Sequence, residues 1–221
     1  MEEYSDFILL PTLYEYLNKN APHIELKVKN VPLFGERQML EAQEIELGIG
    51  LLQHSSELQT LLHETLFRER MVCVAAADHP LFKKPLKLKD YLNAKHVCFV
   101  TFQESAQYIV DLTLENMGYK RNVVLKVAHV VPALYAVEKS DLVATIPEGM
   151  AKEACRLLNV KICECPFSIS DVAFVQMWHP WTSQDSGCRW LRDVIVKIAA
   201  GINQQMLGKK MLAKLNNDNI S

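Results

Sequence analysis

Strand-sized apolar segments alternate with helix-length amphipathic segments along most of this chain, and short polar turns join them. Such a pattern has one economical solution, in which helices lay their apolar faces on a sheet. Residues 8–20 read as a helix, with Leu10, Leu13, Tyr14 and Leu17 recurring at helical spacing and Pro22 ending it. Residues 24–29 alternate apolar and polar, as a half-buried strand does. A helix over 35–43 and a short strand over 46–50 follow. This helix–strand–helix–strand order points to an α/β fold with a largely parallel sheet. Two consecutive strands over 61–66 and 71–77 interrupt the order, separated by Phe67-Arg68-Glu69-Arg70.

The alternation then restarts. Helices are expected over 88–92, 104–117, 131–138 and 148–157, with Gly118 closing the second. Strands are expected over 97–101, 123–128, 142–146 and 160–165. A last strand over 172–178 and a last long helix over 185–199 complete the set. The remaining polar residues, 201–221, carry a weak helical pattern and read as a tail that frays at its end. Two α/β sets imply two lobes joined by two crossover strands, near 75–77 and 166–168. The expected division is 1–75 with 168–200 for the first lobe and 76–167 for the second. In open α/β sheets ligands sit beyond the carboxyl ends of strands, so the loops facing an interlobe cleft hold the functional candidates.

Composition excludes several classes. Among 221 residues, 49% are hydrophobic and 23% charged, which fits a globular chain and not a disordered one. No apolar run approaches the ~18 residues of a spanning helix, so no membrane span is expected. The net charge of −2 is unlike a nucleic-acid footprint, and the lysines at 83, 84 and 89 and at 209–210 read as solvated faces. The acidic start lacks the basic region of a secretory signal. The six cysteines mostly sit inside apolar runs, as small core residues do. Together these features imply a reducing, cytoplasmic setting without disulfides.

The order of elements, with four sequence words in it, resembles the effector-binding domain of LysR-type transcriptional regulators. The words are Ile8-Leu9-Leu10-Pro11-Thr12-Leu13 with Pro22-His23-Ile24-Glu25-Leu26, then Ile45-Glu46-Leu47-Gly48-Ile49-Gly50. The third and most specific is Phe67 to Ala75 with Asp78-His79-Pro80-Leu81, and the fourth is Ser140 to Pro147. The ending Trp178-His179 with Cys188-Arg189-Trp190-Leu191 is similar to the nodulation-regulator branch. The resemblance implies a two-lobed fold of the type 2 periplasmic-binding-protein kind, each lobe a mixed sheet flanked by helices. It also implies a small-molecule effector between the lobes, aromatic or carboxylate, and a homodimer or higher homo-oligomer. The family's winged helix-turn-helix is not found here and the first core strand is nearly absent, so the chain is expected to be a fragment without DNA affinity of its own.

The resemblance places several loops at the cleft. Tyr4, Ser5 and Asp6 are expected just before the first helix, whose free N–H groups suit an anion; Ser5 or Asp6 also suits an N-cap. Asp6 at that mouth repels an anionic ligand. Val31 and Pro32, with Leu33, form an apolar loop that favours an aromatic effector. Thr101, Phe102 and Gln103 would present a donor, an acceptor and a stacking face, or serve as turn and core. His129 and Val130 follow a strand, where His129 would bond an effector with a pH dependence, or act as a structural cap or a satisfied core histidine. Val172 and Ala173 would line the back wall or pack as ordinary core.

Catalytic and metal patterns are missing from the sequence. Cys163 and Cys165 share a strand face, but no further ligands stand at zinc-site spacing. No phosphate loop or nucleophile elbow occurs. No cofactor and no metal are therefore expected. Prephenate dehydratases share the two-lobed fold and carry Thr-Arg-Phe, whereas here Thr101 and Phe102 are adjacent. That departure argues against an enzyme. A transporter's solute-binding protein is the other alternative, opposed by six cysteines and no lipobox.

Overall fold

The computed structural model describes residues 3–29, 36–52, 60–99 and 109–218, without the side chains at 3, 4 and 203–218. The elements are α1 (Glu3–Asn20), α2 (Glu36–Glu41), β1 (Gly48–Leu52), β2 (Leu62–Glu69) and β3 (Met71–Ala76). Then come α3 (Leu88–Asn93), β4 (Lys95–Phe99), α4 (Ile109–Asn116), β5 (Asn122–Val127) and α5 (Val130–Glu138). The last are β6 (Leu142–Pro147), α6 (Glu148–Leu157), β7 (Val160–Glu164), β8 (Val172–Trp178) and α7 (Ser186–Asp218). The chain divides into two compact units, Met1–Arg68 with Ala173–Ser221, and Glu69–Val172. The crossings thus fall between 68 and 69 and between 172 and 173, several residues from where the sequence pattern puts them.

The first unit holds a three-stranded sheet in the order β1-β8-β2. β1 and β8 run antiparallel, with Gly50 opposite Val175, rather than parallel as the alternation suggests. β8 is central and buried on both faces. Ala173, Val175 and Met177 on one face pack with Leu40, Ile45 and Leu61. On the other, Phe174 stacks on Phe67 with ring centroids 5.0 Å apart. Gly48 allows α2 to sit close, because a Cβ there would lie 3.0 Å from Met177 Cγ and 3.2 Å from Glu36 Cβ.

α1 begins five residues before the predicted start, and its buried stripe is Ser5, Leu9, Leu13 and Leu17. Tyr14 is 63% exposed and lies off that stripe. A four-residue repeat on a 3.6-residue turn decides the face, and the stripe's first member is a serine that an apolar count misses. Residues 24–29 form no strand. Among the described residues their alternation has no paired neighbour, and a strand exists only where a second one supplies the ladder. α7 continues through the segment read as a tail, to Asp218.

The second unit is a five-stranded mixed sheet in the order β5-β4-β6-β3-β7. β4 is parallel to β5 and β6, the strands reached through α4 and α5. β3 is antiparallel to both β6 and β7. β3 is buried along its length, with α5 and α6 packed on it. α4 closes at Gly118, whose φ of +77° is the left-handed conformation that ends helices, and Tyr119 N–H bonds Leu114 C=O at 2.8 Å.

Candidate functional site

Ser5 and Asp6 lie within the first two turns of α1, not ahead of it, so neither is its N-cap. Their place follows from the stripe that buries Leu9, Leu13 and Leu17 and carries Ser5 inward with it. Ser5 is fully buried, and its Oγ meets no hydrogen-bond partner among the described residues. A buried hydroxyl left in that condition costs free energy of about 1–3 kcal/mol. The first-turn N–H groups of α1 have no intrahelical acceptors either. The backbone of Tyr4 belongs to the same turn.

Val31 and Pro32, and Thr101, Phe102 and Gln103, lie outside the described residues. His129 stands immediately before α5 in extended conformation, exposed, with no side-chain bond to the helix's first N–H groups. Its role as a structural cap is thereby removed. Val130 opens α5 and is half-buried. Val172 is the first residue of β8 and only 2% exposed.

The sequence reading missed a polar group of residues under α7. Gln176, fully buried in β8, donates through Nε2 to Glu64 at 2.8 Å and to the Arg192 carbonyl at 3.5 Å. The Arg192 guanidinium stacks 4.5 Å from the Trp178 ring centroid. The available signal was a single glutamine in an otherwise apolar strand.

A surface cavity of about 400 Å³ in the second unit is lined in part by His79, Lys84, Asp90, Lys95 and Asp141. Its charges are consumed internally. Lys84 meets Asp90 at 3.1 Å and Lys95 meets Asp141 at 2.9 Å. His79 Nδ1 accepts from Leu81 N–H at 3.1 Å, so the other ring nitrogen carries the proton and donates to the Asp141 carbonyl at 3.2 Å. His179 uses the same device, accepting from Trp181 N–H at 3.4 Å. Both His-Pro words therefore cap short 3₁₀ turns. None of the described sequence-predicted site residues lines this cavity.

Among the described residues no group of three or more His, Cys, Asp or Glu side chains is placed to hold a metal ion. No described helix is long and apolar enough to cross a membrane.

Comparison with known proteins decides the family. A family model described as the LysR substrate binding domain matches residues 2–200. The chain belongs to that family. NagR of Ralstonia sp., an HTH-type transcriptional activator, is 31% identical over 199 residues, covering 90% of this chain and 65% of NagR. This LysR-family chain thus spans just under two thirds of that relative's length. Nodulation protein D 1 of Rhizobium tropici is 23% identical over 135 residues, 61% of this chain and 44% of that protein.

Solved structures share the family fold. The regulatory domain of MexT, a transcriptional activator in Pseudomonas aeruginosa, superposes with a TM-score of 0.77 at 25% identity, covering 89% of this chain and 94% of that one. The BenM effector-binding domain with its effector benzoate gives 0.72 at 18% identity, covering 90% and 89%. The effector-binding domain of QuiR with shikimate gives 0.75 at 14%, covering 90% and 94%. NagR, like NahR of Pseudomonas putida, carries the name of an HTH-type transcriptional activator, not of an enzyme.

Proposed function

We propose that this LysR-family domain binds a small ring-bearing carboxylate as the effector of a transcription regulator, and that Ser5 contacts the ligand. The observation that carries this reading is the Ser5 hydroxyl, buried in the first turn of α1 and without a partner among the described residues. A carboxylate there would accept from the hydroxyl and from first-turn N–H groups, where the positive end of the helix dipole favours an anion. The effectors in the BenM and QuiR structures, benzoate and shikimate, belong to that class. His129, Val130 and Val172, and the loops containing Val31, Pro32, Thr101, Phe102 and Gln103, are the further contacts proposed from the family resemblance.

Titration calorimetry with benzoate and shikimate as probes tests the reading. Saturable binding that weakens at least tenfold in Ser5→Ala and is absent for benzamide supports it. Equal binding of benzoate and benzamide, or no heat with either acid in a folded sample, counts against it.

In the same proposal the effector acts only through its different affinity for two arrangements of the protein. DNA contact comes from a helix-turn-helix segment outside these residues, and the whole protein works in the cytoplasm. The chain pairs with a second copy through α1 and α4. Tyr14 on α1 and Met117 just after α4, 63% and 44% exposed, supply apolar surface for that contact. A sedimentation experiment that finds only monomer at every accessible concentration removes the dimer.

A further inference from the structure

We propose that Cys73 and Cys165 form an oxidisable dithiol, which a hydroperoxide converts to an intramolecular disulfide within the second unit. Cys73 lies on β3 directly opposite Cys163 on β7. Side chains two residues apart on a strand share a face, so β7 brings Cys163 and then Cys165 to the face that carries Cys73. The Sγ atoms of Cys73 and Cys165 are 3.5 Å apart. A disulfide requires about 2.05 Å, so the two sulfurs must close by about 1.5 Å. Cys165 stands just beyond the last residue of β7 and before Pro166, so no ladder partner fixes it in register. Cys73 is 1% exposed, while Cys165 is only half-buried and within reach of a small oxidant.

The chemistry balances with peroxide as the only oxidant. The Cys165 thiolate attacks one oxygen of hydrogen peroxide, the O–O bond breaks, and Cys165 becomes a sulfenic acid while the departing hydroxide takes the proton the thiol released and leaves as water. Cys73 then attacks the sulfenic sulfur, the S–O bond breaks, and the hydroxyl departs as water with the Cys73 proton. Two thiols lose two electrons and two protons, and one hydrogen peroxide becomes two waters. Hydrogen bonds with Cys163 and Cys165, together with burial, keep the Cys73 thiol well above the usual range, so it serves as the resolving partner and not the first target. The other cysteines are less suited. Burial pushes Cys98 and Cys188 up to about 11, and Cys155 has no cysteine beside it among the described contacts. The contact with Cys73 lowers Cys163, which makes it the competing first target. The bond would tie the segment leaving the sheet's edge strand to β3. That segment carries Phe167, packed edge-on against Tyr91 at 5.1 Å, and leads on to β8.

The test treats the folded chain with a few equivalents of hydrogen peroxide, blocks the remaining thiols natively with N-ethylmaleimide, and maps peptides without reduction. The expected result is loss of two of the six thiols per chain, with a dithiothreitol-reversible peptide joining Cys73 to Cys165 and no loss of circular dichroism. Cys165→Ser should abolish the link and Cys163→Ser should retain it; both positions are half-buried, so neither variant depends on refilling a core site. Retention of all six thiols overturns the proposal. So does a Cys73–Cys163 link in its place, or a link that forms only after denaturation in urea.

Discussion

Arg70 grips both carboxylate oxygens of Glu148, with Nε and Nη2 each 2.9 Å from one of them. The same arginine reaches Glu164 on β7, and its carbonyl accepts from Glu148 N–H at 3.0 Å. One residue earlier, Glu69 accepts from Gly149 N–H at 2.8 Å. The sequence pattern makes Glu69-Arg70 a break between strands. In the fold it is a latch that satisfies first-turn donors of α6 and fixes that helix against β3.

Removing the latch should therefore cost stability without altering the fold. Arg70→Met is expected to lower unfolding free energy by about 1–3 kcal/mol, since charged hydrogen bonds are lost and Glu148 is only 7% exposed. Urea melts followed by circular dichroism measure it. A variant with an unchanged urea midpoint would show that Lys152, 3.2 Å from Glu148, compensates fully.

The pair formed by Arg121 and Asp111 should matter more. Its two bonds are both 2.7 Å, and the Arg121 side chain is 1% exposed. Asp111→Ala strands a buried guanidinium and is expected to cost about 3–5 kcal/mol. The double variant Asp111→Ala, Arg121→Met should recover part of that loss, because no unpaired charge then remains. A double variant less stable than Asp111→Ala would contradict this account.

Stability should fall in mild acid through His96. Burial pushes this imidazole down to about 4, from 6.5 when unfolded, while its Nε2 bonds the Tyr91 carbonyl at 2.7 Å. The folded state therefore resists protonation. The associated stability is complete above pH 6.5 and is lost at about 1.4 kcal/mol per pH unit as the pH falls toward 4. His96→Gln can keep the bond to Tyr91 and cannot titrate. Its urea midpoint should decline less steeply than the parent's across this window, and parallel declines would exclude His96 as the cause.

Gly118 offers a purely conformational test. A Cβ at this position meets nothing within 4 Å, so Gly118→Ala probes only the positive φ of 77°. The expected loss is about 1 kcal/mol, with a smaller one for Gly118→Asn, which tolerates the left-handed region better. Chemical denaturation of the two variants side by side gives the ranking.

Much of the architecture was legible because hydrophobic period and punctuation are local properties. The strand over Val172–Trp178, the helix over Glu148–Leu157 and the cap at Gly118 follow from their own residues. The four ordered words were enough to reach the LysR family, which the match over residues 2–200 shows. The candidate site was less legible. The serine of α1 looked like a cap because its neighbours are polar, and its inward direction depends on which helical face meets the core.

The sequence alone determined most of the elements, their order and the family. Tertiary structure alone decided strand direction, as at β3, and whether an alternating segment such as 24–29 becomes a strand at all. It also decided which polar atoms are buried and which partners they meet: Ser5, Gln176, the Arg70–Glu148 grip and the sulfurs of Cys73 and Cys165. The physical reason is range. Helical period and turn chemistry act over a few residues, whereas ladder pairing, desolvation and side-chain contact join residues as far apart as 73 and 165.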